Sequence, residues 1–346
     1  MEKKTVKRVK HSIRGMIDCH VSLTQDLFMT YGIKMSDAIC MGISDTFDFK
    51  VWIEKYSKIP YLAILGREPS TDKVIYEKFN FDFIEKKEIE KESFSKEVSK
   101  CIDEEVCVLA RVDRYYLPYL AKKFPATHFG QHWVLIFGIK QVNSEVYYGL
   151  YDVFFRTPLW VSAEDIHRAR SSDWQPYPPE ALYFIVKKRE GWKKPEKEDI
   201  AEFIRDGAHK TAQRMLSSKD RGINGMRIAA DELTMLIQKL ADDTNLTKIL
   251  RRQYFMLKSM VGEFEPTHSM YRIPYAKFLR DSQKKYGIFT NIQCRQMEEI
   301  GQKWRELYLN MLKSEALDGI KLFIQQLRII AEDEEKMFSD LYNHLM

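Results

Sequence analysis

The first half of the chain alternates between helical and strand-like hydrophobic patterns. From Cys19 to Tyr31, apolar residues recur every four positions, which is the spacing of one helix face. Asp18 stands directly before this run as a natural N-cap, and Gly32 stands directly after it as a stop. The pattern therefore predicts a helix that begins at Cys19.

Short runs rich in β-branched and aromatic residues follow, separated by turn-forming residues. They predict strands at residues 61–65, 106–112, 133–137, 146–152 and 181–186. A charged stretch at 86–100 has helical spacing, and a capping signature opens a short helix at Ser162. A helix followed by an antiparallel sheet indicates the α+β class. Papain-like hydrolases use this layout, with a nucleophile on an early helix and its partners on the sheet.

The hydrophobic pattern of the chain changes near Gly191-Trp-Lys-Lys-Pro195, after which the apolar residues of almost every segment have helical spacing. Helices are predicted at residues 200–216, 225–241, 246–264 and 275–286, and over a long region at 291–345. A chain of 346 residues is long enough for two domains. We predict a catalytic domain at residues 1–190 and a helical domain at residues 191–346 that packs on it.

Composition and charge mainly exclude classes of protein. Hydrophobic residues make up 45% and charged residues 30% of the chain, as in ordinary folded proteins. No apolar run is long enough for a membrane helix, and no secretory signal follows the basic start. The net charge of +5 is not concentrated in a basic stripe, so a nucleic-acid role is the weakest option. These features predict a cytoplasmic protein that meets neither membrane nor nucleic acid.

The cysteines supply the first candidate for chemistry. There are five, at positions 19, 40, 101, 107 and 294, with no CxxC spacing, so neither a disulfide framework nor a zinc site is predicted. A thiol at residue 19 would lie at a helix N-terminus, where free amides and the helix dipole stabilise a thiolate. A thiolate is the attacking species in acyl transfer. Taken alone, however, Cys19 fits a buried or incidental cysteine better.

Two later residues fit as partners of such a thiol. His132 stands at the entrance of the strand 133–137, and an imidazole suits proton transfer near neutral pH. Asp152 ends the next strand and could reach the second ring nitrogen of His132. Each also has an ordinary structural explanation, and only their order along the chain favours the three together. His128 precedes His132 by four residues, but the segment is predicted as loop and strand, so no metal site is expected.

A third group follows the strand 106–112. Asp113, Tyr115 and Tyr116 could line an acceptor site, where aspartate suits a cationic amine and tyrosine an aromatic or sugar face. They could equally form a strand-to-loop corner with buried rings. The sequence leaves both alternatives open.

Three segments carry a family resemblance. They are residues 18–49, which open Asp-Cys-His-Val-Ser-Leu-Thr-Gln-Asp-Leu and close Met-Gly-Ile-Ser-Asp-Thr-Phe-Asp-Phe, residues 112–119 (Val-Asp-Arg-Tyr-Tyr-Leu-Pro-Tyr), and residues 128–138 (His-Phe-Gly-Gln-His-Trp-Val-Leu-Ile-Phe-Gly) with Tyr151-Asp152. Together they resemble the butirosin biosynthesis protein H family over roughly residues 11–190. The resemblance implies a papain-like fold and a cysteine-dependent acyltransferase of antibiotic biosynthesis. It also implies that the acyl group arrives as a thioester on the phosphopantetheine of a carrier protein.

Carried over to this chain, the resemblance implies that Cys19 is the nucleophile, His132 the general base and acid, and Asp152 its orienting partner. Asp113, Tyr115, Tyr116, His128 and Gln131 are then expected to bind the substrate, with no bound cofactor and no metal. The expected partners are an acyl or peptidyl carrier protein and a small amine, and a homodimer is allowed. Related cysteine peptidases place a glutamine about six residues before the cysteine, where this chain has Ile13.

Two other functions remain open on the same residues. A cysteine peptidase or amidase would hydrolyse an acyl or peptide bond without an amine acceptor. A non-catalytic protein on the same fold would instead bind a pathway product, because a fold does not determine a function.

Overall fold

The computed structural model describes residues 4–5, 17–55, 59–68, 73–121, 128–155, 157–175, 177–239, 246–262 and 267–346. Ile13 lies outside these residues. The strands are β1 (Lys4–Thr5), β2 (Phe47–Glu54), β3 (Tyr61–Arg67), β4 (Phe81–Lys87), β5 (Val108–Val112), β6 (His132–Val142), β7 (Glu145–Tyr151), β8 (Leu159–Ser162) and β9 (Leu182–Lys188). The helices are α1 (Cys19–Thr30), α2 (Asp37–Ile43), α3 (Val74–Lys78), α4 (Lys91–Asp103), α5 (Ala163–Arg170), α6 (Lys197–Ser217), α7 (Gly222–Lys239), α8 (Leu246–Gly262), α9 (Arg272–Tyr286), α10 (Asn291–Met311) and α11 (Ala316–Leu345).

The chain divides into two compact units. The first contains Met1–Asp37 and Ile75–Pro195, and the second contains Ala38–Val74 and Glu196–Met346. The sequence analysis assigned all of residues 1–190 to one domain, whereas the structure assigns 38–74 to the second unit. The physical reason is that the β2–β3 hairpin packs against α7 and α8. One of these contacts joins the Gln253 side chain of α8 to the β3 backbone: its amide oxygen accepts from the Leu62 nitrogen at 2.8 Å, and its amide nitrogen donates to the Leu62 carbonyl at 2.9 Å.

An antiparallel sheet forms the centre of the first unit. Its strands lie in the order β4-β9-β5-β6-β7-β8, and β1 pairs with β6. In the pairing of β5 with β6, Val112 is opposite His132. The predicted strands at 106–112, 133–137, 146–152 and 181–186 are confirmed within one to five residues at their ends, which confirms the α+β class.

Helix α1 begins where the sequence predicted. The Asp18 carboxylate accepts a hydrogen bond from the Val21 amide at 2.9 Å, so a side chain satisfies one of the free amides of the first turn. The apolar face of α1 is buried and contacts β6. The predicted helix at 86–100 is wrong at its start, because β4 runs to Lys87 and pairs with β9 and the helix begins only at Lys91.

Among its described residues, the second unit contains the β2–β3 hairpin and seven helices, which are α6 to α11 and α2 from Ala38 onward. The predicted long helical region at 291–345 is divided into α10 and α11 by a break at residues 312–315. Close packing requires glycine at position 207, because a Cβ there would lie 2.3 Å from the Gly42 carbonyl oxygen. In the part of the chain that is described, we find no helix with the length and apolar character needed to cross a membrane.

A buried ion pair lies in the core of the second unit. Nε and Nη2 of Arg272 donate to the two carboxylate oxygens of Glu334 at 2.8 and 2.9 Å. The Trp304 indole nitrogen donates to the same carboxylate at 3.1 Å, and the guanidinium lies 4.5 Å from the Phe47 ring centre. Both charged side chains are fully inaccessible to solvent. Because water cannot reach either charge, the hydrogen bonds within this cluster must compensate for the lost solvation of both groups.

Candidate active site

Cys19 is the first residue of α1 and is partly exposed. Its Sγ lies 3.9 Å from the backbone carbonyl oxygen of Gln131, which accepts from Cys19 when the group is in its thiol form. As the first helical residue, Cys19 also has a backbone amide without an acceptor inside the helix. The thiol therefore lies at the positive end of α1, beside the segment that leads into β6.

His132 begins β6 and is buried. Its Nε2 lies 2.7 Å from Oδ2 of Asp152, and the Phe154 ring stacks on the imidazole with centres 5.4 Å apart. Because Nε2 faces the carboxylate, Nδ1 is the nitrogen that remains for exchange with a second group. The Cys19 thiol lies close enough to the imidazole to contribute to its electrostatics. The structure thus brings Cys19, His132 and Asp152 together.

Asp152 follows β7 directly and is fully buried. Oδ1 accepts from the Phe154 amide at 3.0 Å, and Oδ2 accepts from the Tyr119 hydroxyl at 3.0 Å as well as facing His132. Tyr119 lies in a short 3-10 helix, Pro118–Leu120, and packs edge-on against Phe155. The carboxylate is therefore held by three donors, which fixes the plane in which it meets the imidazole.

The pKa values of this pair move in opposite directions. Burial by itself lowers the pKa of His132, but the charge of Asp152, the hydrogen bond to it and the Cys19 thiol outweigh burial and raise the pKa to about 10. Burial by itself raises the pKa of Asp152, but the charge of His132 and the hydrogen bonds from His132, Phe154 and Tyr119 lower it. At neutral pH the pair is therefore an imidazolium beside a carboxylate.

Gln131 was expected to bind the substrate. In the structure its side chain hydrogen-bonds to other protein groups: Oε1 accepts from Nη1 of Arg111 at 3.1 Å, and Nε2 donates to the Pro178 carbonyl at 3.3 Å. Arg111 also donates to the Pro179 carbonyl at 2.9 Å and pairs with Glu180. These contacts fix the segment at 131, so the Gln131 carbonyl, rather than its amide, faces the Cys19 thiol.

Asp113 is buried at the end of β5 and forms the strand-to-loop corner that the sequence analysis considered. It accepts from the Tyr115 and Phe129 amides at 3.1 and 2.9 Å and from the Ser172 hydroxyl at 2.9 Å. Its Oδ2 also lies 2.7 Å from Nδ1 of His128. Burial raises the pKa of Asp113, but these hydrogen bonds together lower it, so the group is a carboxylate.

The rings around His128 form a three-layer stack. The Tyr115 ring lies on one face of the imidazole with centres 3.9 Å apart, and the Trp174 ring lies on the other face at 4.1 Å. Tyr116 meets His128 edge-on at 5.7 Å, and the Arg168 guanidinium lies over Tyr116. Asp113 thus forms a buried strand-to-loop corner. The Tyr115 ring is exposed and the Tyr116 ring is half-buried, so the rings of this corner are not buried.

Three functional candidates escaped sequence reasoning. Tyr119 is the last residue of the 112–119 segment, and its position could have suggested a partner for the site. Arg111 and Trp174 carried no comparable signal, because their roles depend on which loop packs against residues 128–131. The other four cysteines are buried away from such an arrangement. In the described residues, no three His, Cys, Asp or Glu side chains are grouped in a way that could hold a metal ion.

Comparisons with known proteins cover most of the chain. Residues 18–148 match the family model "Butirosin biosynthesis protein H, N-terminal", and residues 164–341 match "Domain of unknown function (DUF4872)". Cys19 and His132 lie inside the first match, whereas Asp152 lies between the two. No curated protein matches the chain. On the strength of these matches, residues 18–148 of the chain belong to the butirosin biosynthesis protein H family, and residues 164–341 belong to the DUF4872 family.

Proposed function

We propose that this protein is a cysteine-dependent acyltransferase that forms an amide bond in antibiotic biosynthesis. One observation carries the proposal: Cys19 begins a helix beside a buried His132 whose other nitrogen faces Asp152. A nucleophile on the first helix, with its base and orienting carboxylate on successive sheet strands, is also the arrangement of papain-like enzymes. The name of the family, which refers to butirosin biosynthesis, supports the biological setting.

The first step transfers the acyl group to the enzyme. The Cys19 thiolate attacks the carbonyl carbon of a thioester on the phosphopantetheine of an acyl or peptidyl carrier protein. The new bond joins the carbonyl carbon to Sγ, and the bond to the carrier sulfur breaks. The carrier sulfur takes the proton of the His132 imidazolium and leaves as a thiol. One thioester replaces another, so this step is close to isoenergetic.

The second step releases the product. A neutral amine attacks the Cys19 thioester, the carbon–nitrogen bond forms, and the bond to Sγ breaks. His132 takes one proton from the attacking nitrogen, which restores the imidazolium beside the departing thiolate. Asp152 holds the imidazole in place and stabilises its charged form in both steps. The stability of the amide relative to the thioester drives the sequence forward.

Two features support stabilisation of the tetrahedral intermediate and protection of the acyl-enzyme. The Cys19 amide, which has no acceptor inside α1, is suited to donate to the developing oxyanion, with the helix dipole behind it. Phe154, stacked on His132, covers one face of the imidazole with an apolar ring. Excluding water from this region favours aminolysis over hydrolysis of the acyl-enzyme.

Intact-protein mass spectrometry tests the proposal directly. The protein is mixed with a panel of acyl-carrier thioesters, and we expect a mass increase equal to one acyl group. Cys19→Ala should abolish this increase, whereas Cys294→Ala, which removes a buried thiol on α10, should retain it. Full transfer activity in Cys19→Ala would contradict the proposal.

The same acyl-enzyme separates the alternatives. After removal of excess donor, its decay is followed with and without an added amine. Faster decay with amide product supports the transferase, and decay by hydrolysis that an amine does not change supports a peptidase or amidase. If no donor of the panel acylates Cys19 and the thiol is unreactive, the result supports a non-catalytic binding protein.

A further inference from the structure

The proposed reaction has a proton balance that His132 alone does not close. An alkylamine enters at neutral pH as an ammonium ion and must lose two protons to become an amide nitrogen. In each cycle His132 receives one of them, because it begins and ends the cycle as an imidazolium. The other proton must leave the ammonium before nitrogen can attack, since the protonated nitrogen has no free electron pair. A second proton acceptor beside the site would supply this step.

The first unit contains a second histidine–carboxylate pair close to the first. His128 Nδ1 lies 2.7 Å from Asp113, the same separation as that between His132 and Asp152. Asp113 is buried and saturated by three further donors, so it fixes the imidazole and remains ionised. The Nε2 atom of His128 makes no hydrogen bond within the described residues. The imidazole therefore presents one oriented and unused nitrogen.

The faces of this imidazole are covered by rings that suit a cation. Tyr115 and Trp174 sandwich His128, and they remain 44% and 57% exposed. Exposed aromatic faces, and those of tryptophan in particular, attract ammonium groups through the ring quadrupole. A neutral small molecule would gain no such attraction. Because the imidazole occupies the inner face of each ring, this attraction acts on the outer faces of Tyr115 and Trp174. The stack therefore attracts ammonium ions to the immediate surroundings of the imidazole edge.

Chain geometry places this stack near the thiol. Asp113 directly follows Val112, which is opposite His132 in the sheet. His128 is three residues before Gln131, whose carbonyl contacts the Cys19 thiol. Three residues span at most about 11 Å even when fully extended. A small amine leaving the stack would thus reach the Cys19 thioester by a short movement.

We propose that His128, oriented by Asp113, takes the first proton from the ammonium acceptor, which the outer faces of Tyr115 and Trp174 attract to the neighbourhood of Nε2. This inference rests on the proposed function. An N–H bond of the ammonium breaks, the proton goes to Nε2 of His128, and the electron pair stays on the amine nitrogen. The amine then attacks the Cys19 thioester, and the His128 imidazolium passes its proton to water. The ligand class is a primary alkylammonium. Within the described part of the chain, the charged and titratable groups that contact His128 are Asp113, Tyr115 and Tyr116, and Arg168 lies over Tyr116.

Two amines of equal size test this assignment. Ethylamine is an ammonium ion at pH 7, whereas methoxyamine, with oxygen in place of one methylene, is uncharged and needs no prior deprotonation. The test variant is His128→Asn, because the asparagine amide nitrogen can replace Nδ1 as donor to Asp113 but supplies no base. His128→Gln is a second variant in case the first does not fold. His209→Asn, on α6, is the matched control.

The readout is the rate at which each amine consumes the preformed acyl-enzyme at pH 7. General bases contribute about 10²–10⁴-fold, so we expect His128→Asn to slow transfer to ethylamine at least about tenfold. Acylation of Cys19 and transfer to methoxyamine should remain within about twofold of wild type, as should every rate in His209→Asn.

Equal slowing with both amines would overturn the assignment, because a merely structural role of His128 affects both alike. Unchanged transfer to ethylamine would overturn it as well. Failure of the proposed function gives a different result: the wild type then forms no acyl-enzyme, or its acyl-enzyme reacts with neither amine.

Discussion

The hydroxyl of Tyr119 donates to the same carboxylate oxygen of Asp152 that faces His132, at 3.0 and 2.7 Å respectively. A residue from a short 3-10 helix and a residue from the start of β6 thus share one acceptor atom, Oδ2 of Asp152. The Phe154 amide holds the other oxygen. This arrangement fixes the carboxylate from three sides, and it makes Tyr119 a positioning residue that acts through Asp152.

Replacing Tyr119 by phenylalanine should destabilise the protein by about 1.5–3 kcal/mol, because a hydrogen bond to a buried charged group is lost. The pKa of Asp152 should rise, since the Tyr119 hydroxyl is one of the groups that lower it. Urea unfolding measures the first effect, and the alkylation rate of Cys19 reports the condition of the site. Tyr147→Phe removes a comparable but exposed hydrogen bond to Glu145 and should change neither. Equal behaviour of the two variants would argue against the positioning role.

Replacing Asp152 by asparagine should move the alkaline limit of activity to lower pH. The charge of Asp152 holds the pKa of His132 at about 10, so the wild-type imidazolium persists well above neutral pH. A neutral amide retains an acceptor but removes this charge. The test is kcat/KM for a carrier thioester measured between pH 6 and pH 10.5. If kcat/KM declined at the same alkaline pH in both proteins, His132 would not be the proton donor.

The same shift predicts how stability depends on pH. The pKa of His132 is raised on folding, so its pairing with Asp152 contributes stability that is fully present below the ordinary histidine pKa of about 6.5. This contribution decreases as pH rises and is lost above about 10. Urea unfolding of wild type and Asp152→Asn at pH 6 and pH 10 measures it. The difference in unfolding free energy between the two proteins should be larger at pH 6.

Iodoacetamide should modify one cysteine selectively at pH 7. Cys19 is partly exposed at a helix N-terminus, whereas the other four thiols are buried. Burial raises the pKa of Cys101 to about 11 and also raises the pKa of Cys107 and of Cys294. Peptide mapping should therefore find a single carbamidomethyl group, on Cys19, and Cys19→Ala should remain unmodified. The control variant Cys101→Ser retains Cys19, and iodoacetamide should label its Cys19 as rapidly as in the wild type.

Removing one partner of the buried ion pair in the second unit should be strongly destabilising. Glu334→Ala leaves the Arg272 charge buried without a carboxylate, which costs about 3–5 kcal/mol. The neighbouring Glu335 pairs with Arg227 on the surface, so Glu335→Ala should cost less than about 1 kcal/mol. Urea unfolding compares the two. Replacing both partners, as in Arg272→Met with Glu334→Leu, should recover much of the loss.

Local sequence signals predicted the parts of the site that depend on neighbouring residues. The cap at Asp18 and the four-residue spacing after it place Cys19 at the start of α1, because capping and helix periodicity act within one or two turns. The strand entrance at His132 and the strand end at Asp152 follow in the same way from alternating and β-branched runs. The α+β class and the change to helices after residue 195 were also accessible from pattern alone.

Only the tertiary structure decided how distant segments meet. Residues 38–74 join the second unit because the β2–β3 hairpin packs against α7 and α8, and no local pattern encodes those contacts. Trp174 reaches His128, and Tyr119 reaches Asp152, through the paths of loops between strands. Periodicity indicates which face of an element is buried, whereas the partner of a side chain depends on register and loop path. The sequence by itself therefore determined the order of the catalytic candidates, and the tertiary structure decided their surroundings.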